Sequence, residues 1–327
     1  MKFIFDKRWE GPTGIGRFSQ EITKRLNFDC YIKNKIKPTS PLDIFVTPFY
    51  LMFNNYVFFT PGFNSPFLFI KRSIITVHDL NHVDIKGNDS FLKKLYYDFI
   101  LKRGCKKSLA ILTVSEFSKR RIVDWAEVDE SKITVVGNGV SDKYSREGEV
   151  FEPGYEYILC VSNRKKHKNE ERLIIAYAKA KSEIDAKLLI SGKSSAEICN
   201  LAEEYGIKDD VIFTGFIDEE DLPKYYRGAA ALVMPSLYEG FGLPLIEAMA
   251  SGIPTLSSNT TSLVEVSGNC SLLFDPENID EMAKAIVTVI SDVNLRNDLI
   301  SKGIIRAKDF TWESVSDKID KVLCDLS

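Results

Sequence analysis

Met234-Pro235-Ser236-Leu237-Tyr238-Glu239-Gly240-Phe241-Gly242-Leu243-Pro244-Leu245-Ile246-Glu247-Ala248-Met249-Ala250 decides how this chain is read. The apolar run Ala230–Met234 reads as a strand, two glycines mark a turn, and a helix opens near Pro244, where a residue without an N–H is well tolerated. The same strand–loop–helix rhythm fills the rest of the second half. Tyr157–Val161, Lys187–Ser191, Val211–Thr214, Pro254–Ser257 and Ser271–Phe274 read as further strands, while Glu170–Lys181, Ala196–Tyr205, Pro244–Ala250 and Ile279–Ile290 carry helical spacing. The first half repeats the pattern with strands at Lys2–Phe5, Ile44–Thr47, Ser73–Val77, Ala110–Val114 and Lys132–Val136, and helices at Phe18–Leu26, Phe91–Lys102 and Glu116–Ala126. An α/β fold of two domains is expected, each with a parallel sheet covered on both faces. Charged and turn-forming residues in Asp142–Tyr155 mark the boundary, giving domains 1–146 and 152–308. A last segment, 309–327, holds a helix to about Cys324 with Val315, Ile319, Val322 and Leu323 on one face. Open parallel sheets bind ligands at the carboxyl ends of their strands, so two facing domains would place a site in the cleft between them.

The opening segment also carries chemistry. The amides of Phe241, Gly242 and Leu243, at the start of a helix, suit a diphosphate through hydrogen bonding and the helix dipole, and Gly240 and Gly242 allow close approach. Glu239 and Glu247 frame that loop; ionised carboxylates accept hydrogen bonds from paired hydroxyls, so one suits a sugar and the other a ribose. The spacing fits a nucleotide sugar. Arg164 and Lys168 lie four apart in the turn after a strand, from which both cations reach one diphosphate. Gly11–Arg17 is a glycine loop between a strand and a helix, yet reading G-x-G-x-x-G from Gly14 puts Ser19 at the third position, so no dinucleotide fingerprint is complete. His78 and His82 have the spacing of a helical metal pair, but His78 ends the strand-like run Ile74–Val77, and no metal site is expected.

Composition bounds the reading. The chain has 327 residues, 44% of them hydrophobic and 27% charged, ample for two globular cores. Six cysteines at 30, 105, 160, 199, 270 and 324 form no C-x-x-C pair, which argues against a disulfide framework or a thiolate zinc site and fits a reducing cytoplasm. Met1–Asp6 reads as a first buried strand, its apolar part being too short for a signal peptide. Residues 1–148 hold 24 Lys and Arg against 16 Asp and Glu, and residues 149–327 hold 19 against 30, so the halves carry +8 and −11. A basic N-terminal half suits an anionic partner such as a membrane surface or a phosphorylated acceptor; nothing points to nucleic acid. Ile44–Ile70 contains no charged residue, but its prolines, glycine and asparagines interrupt any continuous apolar helix. Its aromatics, Phe49, Tyr50, Phe53, Phe63 and Phe67, either fill the core, line an acceptor groove or touch lipid. The basic, aromatic stretch from Phe91 to Arg103, followed by Lys106 and Lys107, either packs on the core with a solvated basic face or lies at an interface.

Taken together the segments resemble the retaining glycosyltransferases of family 4, glycosyl transferases group 1, with mannosyltransferase-like features and the GT-B fold. Glu239 to Glu247 is similar to the family's E-x7-E signature, and Gly11–Arg17, Thr76–Leu80, Thr113–Ser118, Asn138–Val140, Val161–Asn169 and Val211–Phe216 resemble its other motifs in order. The resemblance implies two facing Rossmann-like domains, the first for the acceptor and the second for the nucleotide sugar, with a final helix crossing back to the first. It implies contact of Glu239 and His78 with the transferred sugar, of Glu247 with the ribose, and of Lys168 and Arg164 with the diphosphate. Gly14, Ile15 and Gly16 would wall the site, and the loop from Phe213 to Phe216 would receive the base. One departure is Ser162, where some members carry an arginine. The implied reaction moves a hexose, with retention, to a glycan or a polyprenyl-diphosphate-linked oligosaccharide in bacterial surface-polysaccharide and O-antigen synthesis. GDP-mannose is the favoured donor, with UDP-glucose and UDP-N-acetylglucosamine open. No Asp-x-Asp occurs, so no metal or other cofactor is expected, and a location in the cytoplasm or at the inner face of the membrane follows. The rivals are a dinucleotide oxidoreductase, which lacks its fingerprint here, and a non-catalytic binding protein of the same fold.

Overall fold

The computed structural model describes residues 1–85 and 91–326. The chain divides into two compact units, Met1–Gly139 with Thr311–Ser327, and Val140–Phe310. The stretch Asp142–Tyr155, expected to hold the boundary, lies within the second unit. Arg227 anchors it there by donating to the carbonyls of Lys143, Ser145 and Glu149.

The first unit is built on β1 (Lys2–Asp6), β2 (Cys30–Ile32), β3 (Tyr56–Thr60), β4 (Ser73–Thr76), β5 (Ala110–Thr113) and β6 (Ile133–Val135), all parallel, in the order β2-β1-β3-β4-β5-β6. Neighbouring strand residues point to opposite faces and find different cores. Phe3, Phe5, Phe59, Ile74 and Leu112 pack with Phe18 and with Trp312, Val315, Ile319 and Leu323 of the last helix, Trp312–Asp325. Ile75 and Ile111 pack on the other face with Tyr97, Leu101 and Ile122. Both faces are covered, which is why the strands read as continuous apolar runs.

In the second unit the strands are β7 (Tyr157–Cys160), β8 (Lys187–Ile190), β9 (Val211–Phe213), β10 (Ala231–Met234), β11 (Thr255–Ser258) and β12 (Leu272–Phe274). Their order is β12-β11-β10-β7-β8-β9, again parallel throughout. Connections leave in opposite directions from the middle pair, β7 and β10. The loops after those two strands therefore diverge around a crevice at their carboxyl ends, the place where open α/β sheets take ligands.

One strand expectation fails. Ile44–Thr47 lies in an α-helix, Asp43–Met52, that includes Pro48, and the strands β2 and β3 lie on either side of it where none was read. The helix buries Asp43, Thr47, Pro48 and Leu51, while Phe45, Phe49 and Met52 are exposed. Asp43 is drawn inward by Arg8, whose guanidinium also holds Asp6 at 2.6 Å from each carboxylate. That ion pair joins residues 35 apart, and no local alternation of apolar residues could reveal it. The helix read from Phe91 to Lys102 extends to Lys107 and widens by a π-turn over Tyr96–Leu101.

Candidate active site

At the crevice of the second unit, the loop after β7 carries Ser162–Asn169 and the loop after β10 carries Pro235–Gly242. The two loops are stitched by one backbone and one side-chain hydrogen bond. Leu237 N–H donates to the His167 carbonyl at 2.7 Å, and Asn169 Nδ2 donates to the Pro235 carbonyl at 3.0 Å. This holds Lys168 against Glu239, with Lys168 Nζ 2.6 Å from Glu239 Oε1 and each side chain only 13% exposed. A cation and a carboxylate from different loops thus share one half-buried position at the switch of strand direction.

The Glu239 turn leads into the helix Leu243–Ala250, with Pro244 in its first turn. Gly242 caps it at φ +106°, a conformation open to glycine at little cost, and a Cβ there would lie 2.7 Å from Leu263 Cδ2. The amides of Gly242 and Leu243 stand at the helix N-terminus, where the backbone dipole favours negative charge. Phe241 is buried, with its ring edge-on to Phe310 at 5.7 Å. Glu247 is buried on the same helix and accepts a hydrogen bond from the Tyr226 hydroxyl at 2.8 Å.

Arg164 lies near Lys168 in sequence but is engaged elsewhere. Its backbone has φ +61°, and each of its three side-chain nitrogens has a partner. Nε donates to the Lys193 carbonyl, Nη1 to Glu170 and Nη2 to the Ser191 carbonyl, while the guanidinium covers the Phe213 ring at 4.9 Å. Arg164 therefore ties the loop after β7 to the ends of β8 and β9. Phe216, three residues beyond Phe213, is 76% exposed, following Gly215 at φ +72°.

In the first unit, His78 follows β4 and its Nε2 lies 2.8 Å from the Pro61 carbonyl. A carbonyl only accepts, so Nε2 carries the hydrogen, and in the neutral ring Nδ1 is left as an acceptor. Burial pushes the His78 pKa down to about 4, only partly opposed by the hydrogen bond to Pro61. The ring meets Phe18 edge-on at 5.0 Å, and Ser118 Oγ donates to the His78 carbonyl. Gly14, Ile15 and Gly16 form the first turn of the helix Gly14–Arg25. The Gly16 amide is taken by the N-cap hydroxyl of Thr13 at 3.0 Å, and a Cβ on Gly16 would lie 2.1 Å from the Gly11 carbonyl oxygen. Glycine at 16 thus serves the packing of the turn.

Sequence reading missed three residues that shape the site. Tyr226 reaches Glu247 from the helix Leu222–Gly228. Thr261 Oγ1 accepts from the Glu239 amide at 3.2 Å, and Ser262 Oγ donates to the carbonyls of Glu239 and Phe241. A threonine at φ +57° and ψ −139° is the one signal of its role, and it is a backbone signal. Among the described residues no group of histidine, cysteine and acidic side chains is arranged to hold a metal ion. No described helix is long and apolar enough to cross a membrane.

Two parallel-sheet units of this kind define the GT-B class of glycosyltransferase fold. The sucrose-phosphate synthase of Thermosynechococcus elongatus matches with a TM-score of 0.79 at 20% identity, over 100% of this chain and 99% of that one. WaaG, a glycosyltransferase involved in lipopolysaccharide biosynthesis, matches at 0.77 with 14% identity, over 98% and 99%. The chain belongs to the glycosyl transferases group 1 family, whose model matches residues 141–306; the glycosyltransferase family 4 model matches residues 52–144. It is 28% identical to O-antigen chain mannosyltransferase B of Escherichia coli, over 80% of this chain and 72% of that protein. It is 32% identical to the O-antigen chain mannosyltransferase RfbU of Salmonella typhimurium, over 67% and 61%. The serotype-specific mannosyltransferase WbdA of Escherichia coli is 26% identical over 80% of this chain, which spans only 34% of that longer protein. The protein is accordingly a glycosyltransferase of the hexosyl-transferring kind.

Proposed function

We propose that the protein moves mannose from GDP-mannose to a hydroxyl of a glycan or polyprenyl-diphosphate-linked acceptor in the assembly of a bacterial surface polysaccharide, with retention and without a metal ion. The observation that carries this reading is the Lys168–Glu239 pair at 2.6 Å, set at the strand switch beside the N-terminus of the helix Leu243–Ala250. Breaking the glycosidic bond leaves negative charge on the departing diphosphate. In this reading the Lys168 ammonium and the loop amides from Phe241 to Leu243 stabilise it in a half-buried setting, where a fixed charge counts for more than in water. Glu239 accepts hydrogen bonds from the hydroxyls of the transferred sugar, and Glu247, steadied by Tyr226, accepts them from the ribose. The incoming hydroxyl attacks the anomeric carbon on the face the diphosphate leaves, and gives its proton to a departing phosphate oxygen. Arg164, with its nitrogens engaged, acts by holding the loop that presents Lys168. Phe213 and Phe216 border the place of the base, and His78, neutral at working pH, contributes hydrogen bonding to the sugar and no charge. The mannose assignment is supported by likeness to the mannosyltransferases named above.

A panel of GDP-mannose, UDP-glucose and UDP-N-acetylglucosamine tests this by thermal shift and by release of nucleoside diphosphate. A true donor at a hundred times its Kd stabilises the fold by about 2.7 kcal/mol. GDP-mannose is expected to act, and Glu239→Ala and Lys168→Ala to abolish turnover. Response to a UDP-sugar alone would replace the donor, binding without release would make this a binding protein, and full turnover by both variants would overturn the site.

A further inference from the structure

The helix Asp43–Met52 leaves three of its large apolar side chains exposed. Phe45, Phe49 and Met52 are exposed on it, with Leu42 before it and Phe53 after it, and Phe49 and Phe53 meet edge-on at 5.3 Å. A second exposed group, Phe67, Leu68 and Phe69, joins the end of that helix through Arg72. The Arg72 guanidinium donates to the carbonyls of Leu51 and Asn54 and covers the Phe69 ring at 4.6 Å. Phe69 itself is held at φ +59°, an unusual conformation for a bulky residue, so its outward position is fixed by the fold. On the other side Arg103 donates to the Phe67 carbonyl and covers the Phe67 ring at 4.9 Å. The helix that carries Arg103 exposes Phe99, Leu95 and Leu92 in the turns before it. Six exposed phenylalanines and their aliphatic neighbours thus lie on these segments, with Arg72 and Arg103 over the rings of Phe69 and Phe67.

Water-soluble surfaces seldom gather so many aromatics, and a contiguous apolar patch of this kind marks a docking face. Its surroundings say what docks. Lys33, Lys35 and Lys37 are exposed ahead of the helix Asp43–Met52, Lys71 is exposed beside Phe69, and Lys93 and Lys94 are exposed beside Leu92 and Leu95. Between residues 33 and 107 there are twelve Lys and Arg against five Asp and Glu, and one of the acids, Asp43, is buried on Arg8. A second copy seated here by a two-fold axis would bring the same cationic rim against itself, which opposes association. An anionic bilayer satisfies both features, the rings entering the acyl boundary and the lysines meeting headgroup phosphates. The helix Asp43–Met52 has 10 residues, enough to lie in the interface and far too few to span it.

We infer that this face of the first unit, centred on Phe45, Phe49, Phe53, Phe67 and Phe69, seats the enzyme on the surface of an anionic lipid bilayer. It deepens the lipid-linked-acceptor reading above by naming the surface through which the membrane is reached.

The test is co-sedimentation of the full chain, without donor or acceptor, on vesicles of phosphatidylcholine alone and of phosphatidylcholine with phosphatidylglycerol. Binding to the anionic vesicles is expected, weakened but not abolished by salt, and reduced on the order of tenfold or more in Phe45→Asp/Phe49→Asp. These side chains are exposed, so the variant should keep its melting temperature and its thermal response to the nucleotide sugar; failure of the donor reading and failure of the membrane reading are thereby seen separately. Three results would overturn the inference: no binding to anionic vesicles, equal binding by the variant, or a wild-type dimer that the variant converts to monomer in light scattering.

Discussion

Replacing Tyr226 by phenylalanine removes one oxygen from the floor of the candidate site and leaves the ring in place. Tyr226 is fully buried, its ring meets Tyr144 edge-on at 5.6 Å, and its hydroxyl donates to Glu247 Oε2 at 2.8 Å. The ring contact survives the substitution, so the effect falls on the hydroxyl and its bond to Glu247. A hydrogen bond to a charged group contributes about 1.5–3 kcal/mol, and the acceptor here is a buried carboxylate that water cannot readily reach. The second unit is of a size for which each kcal/mol moves the melting temperature by roughly 2–4 °C, so a fall of about 3–12 °C is expected for its transition. Calorimetry of the wild type, Tyr226→Phe, Glu247→Gln and the double variant measures this, and the two single losses should not add, because Tyr226→Phe removes the bond that Glu247→Gln weakens. Under the proposed function the donor KM also rises while kcat changes less, since the ribose contact is made in the ground state as well as the transition state. A melting temperature within about 1 °C of wild type together with an unchanged donor KM would refute the reasoning.

Two further outcomes follow from the first unit. Histidine 78 has a folded pKa of about 4 against an ordinary 6.5, so the unfolded chain binds the extra proton first and stability is lost as pH falls from about 6.5 towards 4. Urea midpoints measured across that window should decline in the wild type and decline less in His78→Gln; equal slopes would mean that the ring is not held neutral. Gly16→Ala places a methyl group 2.1 Å from the Gly11 carbonyl, a backbone atom that cannot rotate away, and overpacking of this kind costs about 1–3 kcal/mol. The variant should melt measurably lower, and an unchanged melting temperature would show that the turn at 11–13 yields freely.

Local structure that depends on neighbours in sequence was legible. Glu239, Gly242, Pro244 and Glu247 lie on one strand–turn–helix passage, and periodicity and turn chemistry suffice to place that passage. The β7–β12 strands were legible for the same reason, as each is a short apolar run between turns. What sequence could not show depends on distant partners. The helix Asp43–Met52 is tied down at Asp43 by Arg8 and Asn64, both of which also bond Asp6, whereas the run from Ile44 to Thr47 looks locally like a strand. Arg164 and Lys168 look equivalent on paper as two cations in one turn. Only the positions of Glu170, the Ser191 carbonyl and Phe213 separate a cation that locks the loop from one that faces Glu239.

The Glu239 turn owes its shape to a segment 22 residues further on. Thr261 occupies a backbone region that costs a non-glycine residue on the order of 1–3 kcal/mol, and such a cost persists only where the surroundings repay it. The repayment is visible in two donors: the Glu239 amide, which donates to Thr261 Oγ1, and the single Ser262 hydroxyl proton, shared between the carbonyls of Glu239 and Phe241. At about 0.5–1.5 kcal/mol each they match the strain, so the net effect on stability is small. Their effect on geometry is not small, because they fix the backbone on both sides of the Glu239 side chain. Lys168 fixes the carboxylate itself from the opposite loop. A carboxylate located by two independent elements is oriented before any ligand arrives, and under the proposed function that orientation is what the strained turn supplies at little net cost in stability.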